Sequence, residues 1–260
     1  MALIKTTEEI EKMRKGGALL SRALQAAADA ARPGTTMKKL DEIATRVIEE
    51  GGGKPSFRGY KGGGTKPFPS TLCISRNHEI VHGVGDRVEV LKEGDIVGLD
   101  IGLWFDGLCT DMAVTVPVGS VSKERLALLR TTRQALYSGV EAALVGKKIS
   151  DISAAIEDSV DQKKFGIVKA LVGHGVGHAV HESPHIPNFR STKFGDMELK
   201  PGMCLALEPM ITNGSDDIET SDDGWTIQTV DGSYAAHFEV TIVITEDGPE
   251  ILTPQPNITL

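Results

Sequence analysis

Residues 96–116, IVGLDIGLWFDGLCTDMAVTV, decide the fold of this chain. Two nearly continuous apolar runs flank Asp106-Gly107, which is a turn signal, so the stretch predicts two antiparallel strands joined as a hairpin. Each run carries one acid that is not part of the turn, Asp100 in the first strand and Asp111 in the second. The turn leaves the register open, and the two acids are expected either directly opposed or one step diagonal.

Acids in such positions would interact strongly, because Cβ atoms of opposed residues lie about 5 Å apart. Two bare carboxylates at that distance repel each other, and one of them would have to stay protonated. A bound cation removes this conflict. For either aspartate alone an ordinary strand-edge acid is the simpler interpretation, but the pair in so apolar a hairpin favours a metal site.

Three further residues are candidate metal ligands because each lies in or beside an apolar run, where an unpaired charge is costly. His174 stands in the glycine-rich segment 173–181, GHGVGHAVH. Glu208 follows the strand-like run 203–207 and precedes a proline, which ends a strand ladder. Glu239 lies within the strand-like run 235–245, where alternation also allows a solvent-facing position. His178 and His185 are interpreted as incidental.

One histidine and four carboxylates form an oxygen-rich ligand set. Such a set suits manganese, iron(II), cobalt or zinc better than a structural zinc site. Two divalent ions about 3.5–4 Å apart, sharing carboxylates, lower the pKa of a bound water toward neutrality. The sequence therefore predicts a metal-dependent hydrolase that uses hydroxide against a carbonyl or phosphoryl centre.

Composition excludes several other classes of protein. The chain has 260 residues, a formal net charge of -8 and three cysteines that are scattered singly. No basic patch points to nucleic acid, and no apolar stretch is long enough to cross a bilayer. The start lacks the profile of a signal peptide, and the cysteines suit a reducing compartment. A cytoplasmic protein is expected.

The helical patterns suggest an internal duplication. A helix capped by Thr6 and Glu9 and a second helix are separated by Gly34, and a similar pair surrounds Gly146 at an offset of 112 residues. The second pair is predicted over residues 122–144 and 150–164. Chance similarity of two amphipathic helix pairs is the alternative interpretation. The acidic segment 213–223 is predicted to be a surface loop.

Short motifs run through nearly the whole chain in a fixed order. They are 72–75 LCIS, 81–83 VHG, 93–97 EGDIV, 173–177 GHGVG, 181–184 HESP, 186–189 IPNF, 207–210 LEPM, 223–226 DGWT and 238–239 FE. In this order they resemble the type I methionine aminopeptidases over residues 6–253. The resemblance implies an α+β pita-bread fold, in which two α/β halves related by a pseudo-two-fold axis share a curved antiparallel sheet flanked by helices. It implies one catalytic domain, 1–260, with halves of about 1–118 and 119–260.

The resemblance also implies a role for each candidate residue. Asp100 serves the second metal ion, Asp111 and Glu239 serve both ions, and His174 and Glu208 complete the first. Glu208 is in addition the general base. The other implied residues contact the substrate. His82 contacts the scissile amide nitrogen or the free amine, and His181 stabilises the oxyanion. The methionine side chain is surrounded by Phe68, Cys73 and Trp225.

The implied activity is removal of the initiator methionine when the second residue is small. Expected partners are nascent polypeptides at the ribosome, with no direct contact to nucleic acid or membrane, and the protein is expected to be a monomer. Two alternatives are an aminopeptidase P or prolidase, which place a histidine where Ala170 stands, and an inactive pita-bread protein that binds a partner. The chain departs from the family pattern at His237 and Val240, where glutamine and histidine are more usual.

Overall fold

The computed structural model describes residues 3–62 and 66–260, and within them the chain forms four helices and fifteen strands. The helices are α1 Thr7–Ala30, α2 Met37–Glu50, α3 Lys123–Ala142 and α4 Ile149–Asp158. The strands are β1 Lys54–Pro55, β2 Leu72–Arg76, β3 Glu79–Val81, β4 Ile96–Phe105, β5 Leu108–Pro117, β6 Gly166–Ile167, β7 Gly173–Gly175, β8 Glu182–Ile186, β9 Cys204–Leu207, β10 Met210–Thr212, β11 Ile218–Thr220, β12 Ile227–Thr229, β13 Ala235–His237, β14 Glu239–Thr245 and β15 Gly248–Ile251.

The helix starts follow the capping signals in the sequence. At the start of α1 the Glu9 backbone N–H donates to the Thr6 hydroxyl, and the Thr6 backbone N–H donates to the Glu9 carboxylate. At the start of α3 the Ser122 hydroxyl alone makes the cap, by accepting from the Arg125 backbone N–H. The prediction for the fourth helix was too long, because α4 ends at Asp158. There the Ser159 hydroxyl donates to the Ile156 carbonyl, and the chain turns out of the helix.

The central sheet confirms the predicted hairpin. Strands β4 and β5 pair antiparallel along their whole length, and β5 then pairs with β14, β14 with β9, β9 with β7 and β7 with β8. Successive side chains of a strand point to opposite faces. Leu99, Ile101 and Leu103 of β4 therefore join the apolar core under the helices, where α1 packs on β4 and β5. Asp100 points to the other face.

The two helix pairs are held by equivalent backbone hydrogen bonds. Gly34 N–H donates to the Leu91 carbonyl, and Gly146 N–H donates to the Leu199 carbonyl. Both glycines have positive φ, 93° and 78°. The isolated bridges Thr36–Val90 and Lys148–Glu198 repeat the relation. These matches favour the duplication over chance similarity, whereas the boundary at residue 118 stays a prediction.

Two of the predicted strand runs are each broken near a candidate ligand. The run 203–211 divides into β9 and β10 at Glu208-Pro209, and the run 235–245 divides at Phe238. Strands β10, β13 and β6 form a separate three-stranded sheet, while β9 and β14 stay in the central sheet. Glu208 and Glu239 thus lie where the chain crosses between two sheets. Such crossings bring side chains from both sheets to one place.

Candidate metal centre

The register of the central hairpin places its two acids on one face. Asp111 lies opposite Gly102, and Asp100 lies opposite Ala113. The aspartates are therefore diagonal neighbours, which was one of the two predicted arrangements. Gly102 leaves room for the Asp111 carboxylate, since a Cβ there would lie 3.3 Å from Asp111 Oδ1.

Strand β14 brings the third acid to the same place. Glu239 lies opposite Ala113 of β5, and it is 2 % exposed. The solvent-facing alternative for Glu239 is wrong, because both faces of β14 are covered. The alternation of residues along the strand could not reveal this. It assigns residues to one face or the other, but it does not show that both faces are buried.

His174 enters from β7, and Glu208 enters from the end of β9. His174 Nε2 lies 3.4 Å from Glu208 Oε1. His174 Nδ1 lies 2.9 Å from the Gly175 carbonyl, which can only accept, so Nδ1 carries the proton. The lone pair of Nε2 is then available to a metal ion. Burial lowers the pKa of His174 to about 3, which keeps the imidazole neutral.

We call the four acids of the site the carboxylate cluster; they are Asp100, Asp111, Glu208 and Glu239. Burial raises the pKa of all four, and the charges of the neighbouring acids raise it further for Asp111, Glu208 and Glu239. The pKa of Asp100 rises to about 7. Without a cation, several of these acids would hold protons at neutral pH.

The arrangement fits a divalent ion. Ligand atoms of Asp111, His174 and Glu239 all lie within 4.8 Å of one another. Asp100 Oδ1 and Glu239 Oε1 are buried without a hydrogen-bond partner among the described residues. Buried polar atoms are rarely left in this state. The orphaned oxygens and the concentrated negative charge are both explained if the cluster binds metal.

A cavity of about 390 Å³ opens onto the cluster, and every predicted site residue borders it. Part of its wall is apolar and aromatic. Phe68 is 3 % exposed and meets Trp225 edge-on, with ring centroids 5.3 Å apart, and Cys73 is also buried there. The cavity therefore offers both apolar surface, suited to an unbranched apolar side chain, and the acids and imidazole that suit a metal ion, with Cys73 opposite Asp100 in the strand pairing.

The two remaining predicted histidines also border the cavity. Burial lowers the pKa of His82 to about 4, and its backbone has a positive φ of 58°. Such strain in a residue other than glycine is often found at functional sites. The His181 ring lies 4.4 Å from the ring of His174, and burial lowers its pKa as well.

The cavity also contains residues that the sequence did not single out. The Tyr60 hydroxyl lies 2.8 Å from His181 Nδ1. Its place in a glycine-rich loop gave no reason to choose it. The segment 213–223 is more than the predicted loop, because β11 pairs with β12 and brings Thr220 into the wall. Gly63, Gly64 and Thr65 lie outside the described residues.

Fold and site together define a metal-dependent hydrolase. Residues 11–246 match the model of metallopeptidase family M24. Methionine aminopeptidase 1 from Bacillus subtilis is 44% identical over 254 residues, covering 97% of this chain and 99% of the relative. The crystal structure of methionine aminopeptidase from Thermotoga maritima has 40% identity and a TM-score of 0.92, covering 98% and 100% of the two chains.

The chain belongs to metallopeptidase family M24 and, within it, to the methionine aminopeptidases of type I. The predicted resemblance and the pita-bread fold are thereby confirmed. A prolidase from Pyrococcus furiosus shares the fold, with 23% identity and a TM-score of 0.75, but this chain covers only 66% of it. None of the helices in the described part of the chain has the length and apolar character that a membrane span requires.

Proposed function

We propose that this protein removes the N-terminal methionine from polypeptides whose second residue is small. One observation carries the proposal: a single cavity joins a buried acid and imidazole cluster to an apolar aromatic wall. Phe68, Cys73 and Trp225 would surround the methionine side chain. The apolar wall would favour a long, flexible thioether, which makes good contacts with aromatic rings.

The carboxylate cluster and His174 would hold two divalent ions of cobalt, manganese, iron(II) or zinc. In this assignment Asp111 and Glu239 would serve both ions, His174 and Glu208 would complete the first, and Asp100 would serve the second. Bound ions of this kind supply Lewis acidity and lower the pKa of water. The free amine of the substrate would lie beside Asp100, which restricts cleavage to N-termini.

The proton steps fall to the side chains around the scissile bond. Glu208 would accept the proton of the attacking water and pass it to the leaving amine. His82 would contact the scissile amide nitrogen or the free amine.

His181 would donate from Nε2 to the oxyanion, an interaction that often contributes most to such reactions. Donation from Nε2 requires the tautomer with its proton there, and the Tyr60 hydroxyl, 2.8 Å from Nδ1, would stabilise that tautomer by donating to Nδ1. Tyr60 is therefore assigned to hold His181 in the reactive form.

The test compares two peptides after chelator treatment of the protein and addition of manganese or cobalt. Methionine release from Met-Ala-Ser should be faster than release of the first residue from an Ala-Pro peptide. Faster cleavage of the proline peptide would overturn the proposed specificity. Glu208→Gln and His181→Ala should each lower kcat by about 10²-fold or more, and unchanged turnover in either would refute its assigned role.

We further propose that the protein acts in the cytoplasm, as a monomer, on nascent chains at the ribosome. The support comes from the class of enzyme to which the chain belongs. Sedimentation of the purified protein gives its mass in solution, and a dimer would contradict the monomer proposal. Co-sedimentation with translating ribosomes tests the place of action.

A further inference from the structure

His237 is a buried histidine that the proposed mechanism does not use. It is the last residue of β13, two positions before Glu239, and it is 3 % exposed. Its backbone is fixed by Thr115, whose hydroxyl donates to the His237 carbonyl and accepts from the His237 N–H, at 2.9 and 2.8 Å. These bonds do not involve the imidazole ring, so they give no reason for a histidine here.

The ring nitrogen Nε2 of His237 is buried and has no hydrogen-bond partner among the described residues. It points between two acids of the carboxylate cluster, 3.6 Å from Glu208 Oε2 and 3.9 Å from Glu239 Oε2. The oxygen of Glu239 that has no partner among the described residues is the other one, Oε1. A donor and two acceptors thus lie just beyond hydrogen-bond distance, where a small movement would join them.

The position of the His237 ring distinguishes two possible roles, direct ligation of a metal ion and orientation of the carboxylates. Glu208 and Glu239 both border the cavity, whereas His237 is not among the described residues that line it. The ring therefore lies behind the two carboxylates and not beside the space that a metal ion would share with substrate. This favours action on the carboxylates over direct ligation. Such outer partners fix the orientation of ligands and typically change metal affinity 10–100-fold.

We propose that His237 is a positioning residue whose Nε2–H donates to Glu208, and secondarily to Glu239, when these carboxylates hold a metal ion. The inference rests on the proposed function, because it assigns metal ligation to both acids. The hydrogen bond fixes the carboxylate oxygens that face away from the ion, and so selects the orientation in which the other oxygens ligate.

The experiment measures manganese affinity directly, by titration calorimetry on the chelator-stripped full chain. His237→Leu removes the donor at similar size and should weaken binding 10–100-fold. His237→Gln keeps an N–H donor and should bind within about threefold of the unchanged protein. His78→Leu is the matched control, since His78 is an exposed histidine whose loss should leave affinity unchanged.

Thermal unfolding without metal distinguishes positioning from plain structural support. Replacing a buried polar group that has no partner by an apolar one is nearly neutral or stabilising. The Tm of metal-free His237→Leu should therefore match or exceed that of the unchanged protein. A lower Tm together with unchanged manganese affinity would mean that His237 only supports the fold, and would overturn the proposal.

Two other results would also overturn it. One is manganese affinity of His237→Leu within twofold of the unchanged protein. The other is an equal loss in the Leu and Gln variants, since the N–H donor would then be irrelevant. If His237→Leu does not fold, nitrogen NMR of histidine-labelled, zinc-loaded protein decides, with the His237 signal assigned from His237→Gln. A proton on Nε2 supports the proposal, and its absence refutes it.

Methionine release by the unchanged, metal-loaded protein is measured alongside. If it is absent while His237→Leu still weakens manganese binding, the proposed function fails and the role of His237 stands. If methionine release is normal and manganese binding is unaffected by His237→Leu, the proposed function stands and the role of His237 fails.

Discussion

Two groups of charged side chains in this molecule are built in opposite ways. One, which we call the paired cluster, contains Lys5, Glu9, His178 and Glu182. Lys5 Nζ lies 2.6 Å from Glu182 Oε2, and His178 Nε2 lies 2.7 Å from Glu9 Oε1. Each acid in it meets a basic side chain. The acids of the carboxylate cluster instead face imidazoles that burial keeps neutral.

The difference separates a structural group from a functional one. The paired cluster ties the start of α1 and the residue before its cap to the loop that carries His181. Glu182 also accepts from the Ala179 N–H at 2.8 Å, which shapes that loop. Its charged side chains have partners of opposite type without any added ion, although His178 Nδ1 has no hydrogen-bond partner among the described residues. The carboxylate cluster has negative charge that no basic side chain in it neutralises, and a bound cation is the simplest way to neutralise it.

Breaking the paired cluster should have the largest effect on stability. Lys5→Met leaves the Glu182 carboxylate buried beside an apolar side chain, where the side chains of the pair are 0% and 6% exposed. Removing one partner of a buried pair costs about 3–5 kcal/mol, which denaturant unfolding would measure. Adding Glu182→Gln should restore more than half of the loss, because no unpaired charge then remains.

Lys39→Met is the matched control for that variant. Lys39 lies 3.6 Å from Glu42 in a pair whose side chains are 59% and 51% exposed, and exposed pairs contribute less than about 1 kcal/mol. If Lys5→Met and Lys39→Met lower the free energy of unfolding equally, the buried pair does not stabilise the fold more than an exposed pair does.

The carboxylate cluster should give the metal-free protein an unusual pH dependence. Its acids have raised pKa values in the folded state, so the folded chain binds more protons than the unfolded chain. Their contribution to stability is complete below about pH 4, the ordinary range of carboxyl groups. This contribution is lost as the pH rises through the pKa values of the acids in the folded state, of which that of Asp100 is about 7.

Added manganese should reverse that trend, since metal binds the deprotonated acids and affinity rises with pH. The check is Tm between pH 5 and 8 with and without manganese. Glu239→Gln should reduce both effects, because it removes one raised acid and one ligand. A metal-free Tm that rises steadily over this range would contradict the view that these acids are unneutralised.

The smallest expected effect belongs to Glu9, and it has the opposite sign in pH. The Thr6 backbone N–H and His178 lower the pKa of Glu9 from 4.5 to about 2. Its contribution is therefore present above about pH 4.5 and lost as the pH falls toward 2. Glu9→Ala should cost about 1 kcal/mol at pH 7. Denaturant unfolding at pH 7 and pH 2.5 measures the difference, which should shrink in acid; a constant difference would argue against the ionised capping interaction.

Local patterns were sufficient for several parts of the fold. The hairpin of β4 and β5 follows from two apolar runs around Asp106-Gly107, and the start of α1 follows from Thr6 and Glu9. The five predicted ligands were found because an acid or imidazole in an apolar run is costly wherever it lies. The structure gathers all of them at one cavity. Their separate roles stay predictions.

Other features could not be read locally. The break at Phe238 has no proline or glycine to mark it, and it arises because β13 and β14 pair with different sheets. Tyr60 and Thr220 gain their importance only from what lies across the cavity. The same holds for His237, which looked like an ordinary variation beside Glu239 until its ring was found between two carboxylates.

The sequence by itself determined the central hairpin and the starts of its capped helices, and which polar residues would be too costly to bury without a partner. Those properties depend on neighbouring residues and on the chemistry of each side chain. Only the tertiary structure decided which buried charges neutralise one another and which remain in excess. That outcome depends on distances between residues far apart in the chain, which strand pairing and register set.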